Sequence, residues 1–209
     1  TSYSPEQQRP DKHFTPYSLS GGARWHFYDG YDLSLNLTRA QRAPNVQEIY
    51  ADGPHVATQT FEIGNPNLEV ETSNNIDFSL NKTDGRWQWS LGAYYNYFQD
   101  YIFLRETDSN GDGMPDFVDE EGQLNPDGPF LLVFNTQKNA NFYGIEADTT
   151  YRLMEGKWGD LDFRLWGDWV RAKFTDGSNV PRMPPWRLGG NLEYNYAEWT
   201  GSVDIWRVG

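Results

Sequence analysis

Cysteine is absent from this chain, which excludes a disulfide framework and any thiolate metal site and leaves the compartment open. No run approaches the roughly 18 consecutive apolar residues that a membrane-crossing helix needs. No secretory leader is present, so a secreted protein is expected here already processed or as a piece. Basic residues are scarce, with 17 Lys and Arg against 30 Asp and Glu and a net charge of −13. That balance argues against nucleic acid as a partner, because phosphates call for a basic surface, and it is compatible with binding cations. Mean hydropathy is low, at −0.78. A transmembrane β-barrel survives that test, because it carries its apolar content on alternate residues and a window average dilutes it.

What the chain does have is aromatic residues, 16% of the total with nine Trp and thirteen Tyr, and a period-two pattern. In Tyr31-Asp32-Leu33-Ser34-Leu35-Asn36-Leu37-Thr38 and again in Asn75-Ile76-Asp77-Phe78-Ser79-Leu80-Asn81, apolar and polar residues alternate. Period two gives a strand two chemically different faces. The same reading gives about eight strands. They start near Tyr17, Tyr31, Val70, Trp87, Leu131, Leu161, Trp186 and Trp199. Asp29-Gly30, Lys82 to Gly85, Glu155 to Gly159 and Tyr196 to Glu198 are short turns. Arg42 to Glu69, Thr107 to Phe130 and Thr175 to Pro185 are long connections.

Short and long connections alternate strictly, so all short turns fall at one end of the sheet and all long loops at the other. Strands of about 12–20 residues exceed the usual 5–6 of soluble sheets. Aromatics gather at the turn end: Trp25, Phe27, Tyr31, Trp87, Trp89, Trp158, Tyr194 and Trp199. Together these predict an all-β, antiparallel transmembrane β-barrel fragment with long extracellular loops, short periplasmic turns and an interfacial aromatic girdle. The first strand then runs downward from an N-terminus outside the cell, and the chain stops in mid-strand, as expected of a piece of a larger barrel. The polar faces, with Arg24, Asp32, Asn36, Asp77, Glu146, Asp148, Arg152, Arg164 and Asp168, are expected to line the lumen.

Several segments resemble the TonB-dependent outer-membrane receptors. Leu37 to Asn45 followed by Glu48-Ile49-Tyr50 is similar to that family's strand-to-loop segment, and Gly64-Asn65-Pro66-Asn67-Leu68-Glu69-Val70-Glu71-Thr72-Ser73 resembles its entry to the next strand. Asn139-Ala140 with Gly144-Ile145-Glu146 and Val180 to Pro185 resemble later segments, in order, over about Tyr17 to the end. Val70 stands where a proline is usual and Gln41 where an aromatic is common. The resemblance implies that residues 1–209 are part of a barrel of about 22 strands, with the plug domain, TonB box and final strands not represented. It implies active uptake across the bacterial outer membrane by the parent protein, with its own plug, the TonB complex and membrane lipid as partners. No catalytic arrangement is present, so an enzyme is not expected.

Two loops carry candidate metal ligands. Tyr50 to Thr58 leading to Phe61-Glu62-Ile63-Gly64 is similar to the zinc-uptake branch of the family, which would make the cargo zinc, or a zinc complex, rather than a ferric siderophore. His55 offers an imidazole, and Asp52 and Glu62 offer carboxylate oxygens. The alternative for His55 is an exposed loop histidine that helps shape the turn beside Pro54. His13 is a lesser candidate, and His26 reads as a hydrogen-bonded lumen residue. The second loop, Asp108 to Asp119, follows the calcium-loop pattern. It has Asp108, Asn110 and Asp112 at positions one, three and five, Gly113 at six, the Met114 carbonyl, Asp116 at nine and Asp119 at twelve. A structural calcium ion would relieve the crowding of its carboxylates. The alternative is a solvated acidic turn, because Asp, Asn and Gly are good turn formers. Rival functions are a siderophore or other metal-chelate receptor, or a non-transporting adhesin or docking barrel.

Overall fold

The computed structural model describes residues 12–209. The expected loop tail from Thr1 to His13 therefore lies almost wholly outside the described residues. Eight long strands form, where the alternation predicts them. They are β1 (Ser18–Tyr28), β2 (Tyr31–Arg42), β5 (Glu71–Lys82), β6 (Trp87–Glu106), β8 (Phe130–Met154), β9 (Asp160–Phe174), β10 (Arg187–Tyr196) and β11 (Trp199–Val208). They lie side by side in the order β1-β2-β5-β6-β8-β9-β10-β11. Four short elements were not anticipated: helix α1 (Val46–Tyr50) and strands β3 (Asp52–His55), β4 (Thr60–Ile63) and β7 (Phe117–Val118). All four fall inside long connections, where no period is long enough to read.

The chain divides into two compact units. One comprises residues 18–40, 73–98 and 139–209, and the other, among the described residues, 12–17, 41–72 and 99–138. The first is a run of antiparallel strand pairs. Ser18 pairs with Ala40 and Trp25 with Leu33 between β1 and β2. Ile145 pairs with Trp169 between β8 and β9, Leu165 with Gly190 between β9 and β10, and Leu192 with Val203 between β10 and β11. Paired residues share a face, so the odd residues of β8, β9 and β11 and the even residues of β10 form one surface. That surface is apolar and open: Ile145 is 57% exposed and Ile205 74%. So large an uncovered apolar surface is one turned toward hydrocarbon.

The opposite face of this unit is charged, and its charges are matched between strands. Arg152 donates to Asp162 at 2.9 Å, Arg164 to Asp148 at 2.6 Å and Arg187 to Asp168 at 2.9 Å. Arg24 donates to the buried Asp32 at 2.6 Å, and His26 lies against the same carboxylate. The register explains the pairings: Arg152 faces Asp162 and Arg187 faces Asp168 directly, while Arg164 lies diagonal to Asp148. At the turn end, Trp25, Phe27, Tyr28, Tyr31 and Trp89 form a chain of tilted ring contacts 5.7–6.2 Å between centroids. Four of these five, Trp25, Phe27, Tyr31 and Trp89, are among the aromatics expected at the turn end.

Candidate functional site

The second unit gathers two of the long loops and the strand ends that carry them. Its first loop begins with α1. Asn45 accepts from the Glu48 amide at 2.8 Å while the Glu48 carboxylate accepts from the Asn45 amide at 2.7 Å. This reciprocal capping box lets a single helical turn form. Arg42, at the end of β2, fixes the helix to the sheet. Its guanidinium donates to Glu48 at 2.9 Å and to both oxygens of Glu71 at 3.2 Å. Glu71 is buried and also accepts from the Ile102 amide at 2.8 Å. Past the loop, the Gly64 amide donates to the Ala51 carbonyl at 2.7 Å and the Asn65 amide to the Glu48 carbonyl at 2.9 Å. A Cβ on Gly64 would sit 2.5 Å from the Ile49 carbonyl and the Tyr50 nitrogen. Glycine is required here by close backbone approach.

Between α1 and Gly64, β3 and β4 form a hairpin, and β4 adds in parallel to β8, Phe61 opposite Leu132 and Ile63 opposite Phe134. β7 pairs with the same stretch of β8 from the second loop. Phe61, Val118 and Phe130 are buried together, with Ile63 and Leu132 against them. The Phe61 ring lies over Gly122, whose Cβ would stand 2.7 Å from it. The two loops therefore share one small core.

Beside this core is a cleft of about 820 Å³, a size typical of small-molecule sites. Its floor is apolar, from Tyr50, Phe61, Ile63, Leu132 and Phe134, and its charged residues are Asp52, Glu120 and Glu121. Among the described residues no basic side chain lines it. Glu120 and Glu121 follow the last position of the calcium-loop pattern, and no motif marks them. Their meeting with Asp52 is a tertiary fact, since 68 residues separate Asp52 from Glu120 and only the β4–β8–β7 pairing closes that gap.

The expected zinc ligands are divided by the hairpin. Asp52 pairs with Ile63 and Pro54 with Phe61, while His55 pairs with Thr60 and Gly53 with Glu62. Strand alternation thus puts Asp52 on the cleft face and His55 with Glu62 on the other. There the two are joined by hydroxyls. His55 Nδ1 is 2.8 Å from Thr58 Oγ1, Thr58 Oγ1 is 2.7 Å from Thr60 Oγ1, and Thr60 donates to Glu62 at 3.1 Å. Among the described residues no three His, Cys, Asp or Glu side chains converge in a way that would hold a metal ion. His13 is exposed.

The acidic loop is ordered around its first carboxylate. Asp108 accepts from the amides of Gly111 at 2.7 Å, Asp112 at 3.1 Å and Gly113 at 3.0 Å. Asn110 accepts from the Asp112 amide and Asp112 from the Met114 amide. Gly113 has a φ of 85°, the left-handed turn the sixth position of a calcium loop requires. Asp116 is buried and accepts from the Ser109 amide at 2.8 Å. Burial pushes its carboxyl up, but the Ser109 amide and the Ser109 and Thr107 hydroxyls outweigh it and hold the group below the ordinary aspartate range. Asp119 departs from the expected arrangement. It accepts from the amides of Glu121 and Gln123 and so shapes a turn of its own. Asp108, Asn110, Asp112 and Asp116 thus each accept from a backbone amide of the loop, and Asp119 from amides just beyond it.

The sequence pattern of one protein family, described as "TonB dependent receptor-like, beta-barrel", matches residues 1–209. Similar solved structures include "Copper transporter OprC", with a TM-score of 0.67 and 18% identity over 88% of this chain and 25% of that one. The siderophore receptor PirA from Pseudomonas aeruginosa aligns with a TM-score of 0.52 and 18% identity, over 90% of this chain and 31% of that one. At such identity the likeness concerns the fold. The chain spans between a quarter and a third of the length of these two proteins.

Proposed function

Because the chain belongs to the TonB-dependent receptor β-barrel family, we propose that it supplies wall strands and exterior loops to an outer-membrane active transporter that takes up metal. The observation that carries this reading is the cleft in the loop unit, whose charged residues, Asp52, Glu120 and Glu121, are all acidic. Such a site favours a cargo arriving as a cation and disfavours an anionic chelate. Import would follow when TonB, acting on the plug of the parent protein, opens the lumen.

Zinc is the proposed metal, with His55 and Glu62 as its first protein contacts at the hairpin tip and Asp52 serving the cleft instead. Imidazole and carboxylate suit zinc, and the remaining coordination positions would come from water or from parts of the parent protein. A second reading has its own support. The apolar floor of Phe61, Ile63, Leu132 and Phe134 suits an organic ligand around the metal better than a bare ion, so a cationic metal chelate is the alternative cargo. Calcium in the Asp108 to Asp116 loop is proposed as a structural ion, supported by the oxygen-bearing residues at positions one, three, five and nine and by the left-handed Gly113.

The deciding test is calorimetric titration of the full receptor with zinc, copper and a cationic iron chelate, in calcium-containing buffer. Wild type is compared with His55→Ala and with the Asp52→Asn, Glu120→Gln, Glu121→Gln triple variant. Loss of zinc binding in His55→Ala supports the zinc reading. Chelate binding lost only in the triple variant supports the second. Wild-type protein that binds none of the three would overturn both and leave a docking barrel.

A further inference from the structure

On the outward face of the strand unit, an apolar groove of about 660 Å³ runs between β8, β9 and β10, with Ile145, Leu165, Trp169 and Leu188 along it. At its upper end the chemistry changes. Arg171 and Lys173 follow Trp169 at two-residue intervals on the same outward face of β9, opposite Tyr143 and Asn141 of β8. Tyr143 meets the Trp169 ring edge-on at 5.8 Å. Neither cation makes an ion pair with a described residue, in contrast to Arg152, Arg164 and Arg187 on the lumen side, each of which has an aspartate.

Their depth follows from the register. Leu161, at the bottom of β9, lies opposite Tyr194, whose hydroxyl donates to the Trp158 carbonyl, so this is the level of the lower girdle. A tilted strand crosses the hydrocarbon core in about 9–11 residues. Counting up from Leu161 brings Arg171 to the opposite boundary, where the lipid head groups begin. An unpaired guanidinium and ammonium facing lipid at that level are costly unless they meet anions.

We propose that this surface is a binding site for a phosphorylated lipid of the outer leaflet. One acyl chain would lie in the Ile145–Leu165–Leu188 groove, and a head-group phosphate would be held by Arg171 and Lys173. Arg171 can offer the planar two-donor fork that matches a phosphate, and Trp169 and Tyr143 occupy the interface between the two parts. The match is one of shape and charge together: an apolar trough capped by two unneutralised cations fits an amphiphile with an anionic head. Free phosphate would use the cap and leave the trough empty.

The test uses the full receptor extracted from outer membranes in mild detergent, with retained phospholipid and phosphorylated glycolipid counted by native mass spectrometry. Folding of every variant is checked by heat-modifiable gel mobility. Arg171→Gln with Lys173→Gln should lower lipid retention about thirty-fold, roughly a factor of five per cation near an anionic surface. Arg171→Lys with Lys173→Arg should retain the lipid. Leu188→Trp, which fills the groove and leaves both cations in place, should also release it. Retention equal to wild type in both the double-glutamine and Leu188→Trp proteins overturns the proposal. Displacement of the bound lipid by millimolar inorganic phosphate, with Leu188→Trp unaffected, overturns it in favour of a simple anion site.

Discussion

Arg42 joins three pieces of chain that are distant in sequence: the end of β2, the first turn of α1 and the start of β5. Its removal leaves Glu71, 8% exposed, with the Ile102 amide as its one remaining partner among the described residues. Leaving a buried polar group short of partners costs about 1–3 kcal/mol. Arg42→Gln should therefore raise hydrogen exchange across residues 41–72 and leave the strand unit unchanged. Gly64→Ala acts by steric conflict. Its new Cβ meets the Ile49 carbonyl at 2.5 Å, and forcing atoms into a packed site costs about 1–3 kcal/mol. Faster protease nicking between Tyr50 and Phe61 is the expected signature. Asp116 sets a pH dependence. Its carboxyl is held below the ordinary range, so its contribution is complete above the unfolded aspartate pKa of about 3.9 and is lost as pH falls through the lower folded value. Proteolytic protection of residues 107–119 should hold at neutral pH and fall in strong acid, and Asp116→Asn should lack this step.

At the scale of elements, the long strands were legible because alternation over ten or more residues leaves little room for another reading. β1 and β2 open and close within a residue or two of the expected limits, and Asp29-Gly30 is the turn between them. Helix α1 was missed although its capping signal, Asn45 with Glu48 three residues on, is in the sequence. A five-residue helix has no hydrophobic period to corroborate a cap, and it persists because Arg42 and Gly64 hold it. The two-residue β7 and the four-residue β4 were beyond reach for a different reason: they exist only through β8. Phe61 is the side chain that makes that docking favourable. Phe61→Ala removes the ring from the core it forms with Val118 and Phe130, at a cost of about 3–5 kcal/mol. Loosened exchange at β4 and β7 together, with β8 retained against β9, would show that the loops order as one body.

For the molecule as a whole, the net charge of −13 already pointed to cations, and three of the acidic residues of the loop unit line its cleft. Electrostatic capture by Asp52, Glu120 and Glu121 should be sensitive to ionic strength, which screens exposed charges over about 8–10 Å. Neutralising all three should slow cation association about ten-fold or more at low salt and remove most of its salt dependence. Stopped-flow binding measurements on the full receptor check this. The sequence by itself determined the class: a period of two, the alternation of short and long connections and the aromatic placement are local or nearly local patterns, and each follows from what a strand in a membrane must present to its two sides. The segments similar to the receptor family were legible for a related reason, since the Gly64 segment records a close backbone contact that only glycine permits. The site belongs to tertiary structure. Asp52 and His55 are three residues apart and face opposite ways, whereas Asp52 and Glu120 are 68 apart and line one cleft. Strand pairing between distant segments decides which charges meet, and sequence spacing carries no measure of it.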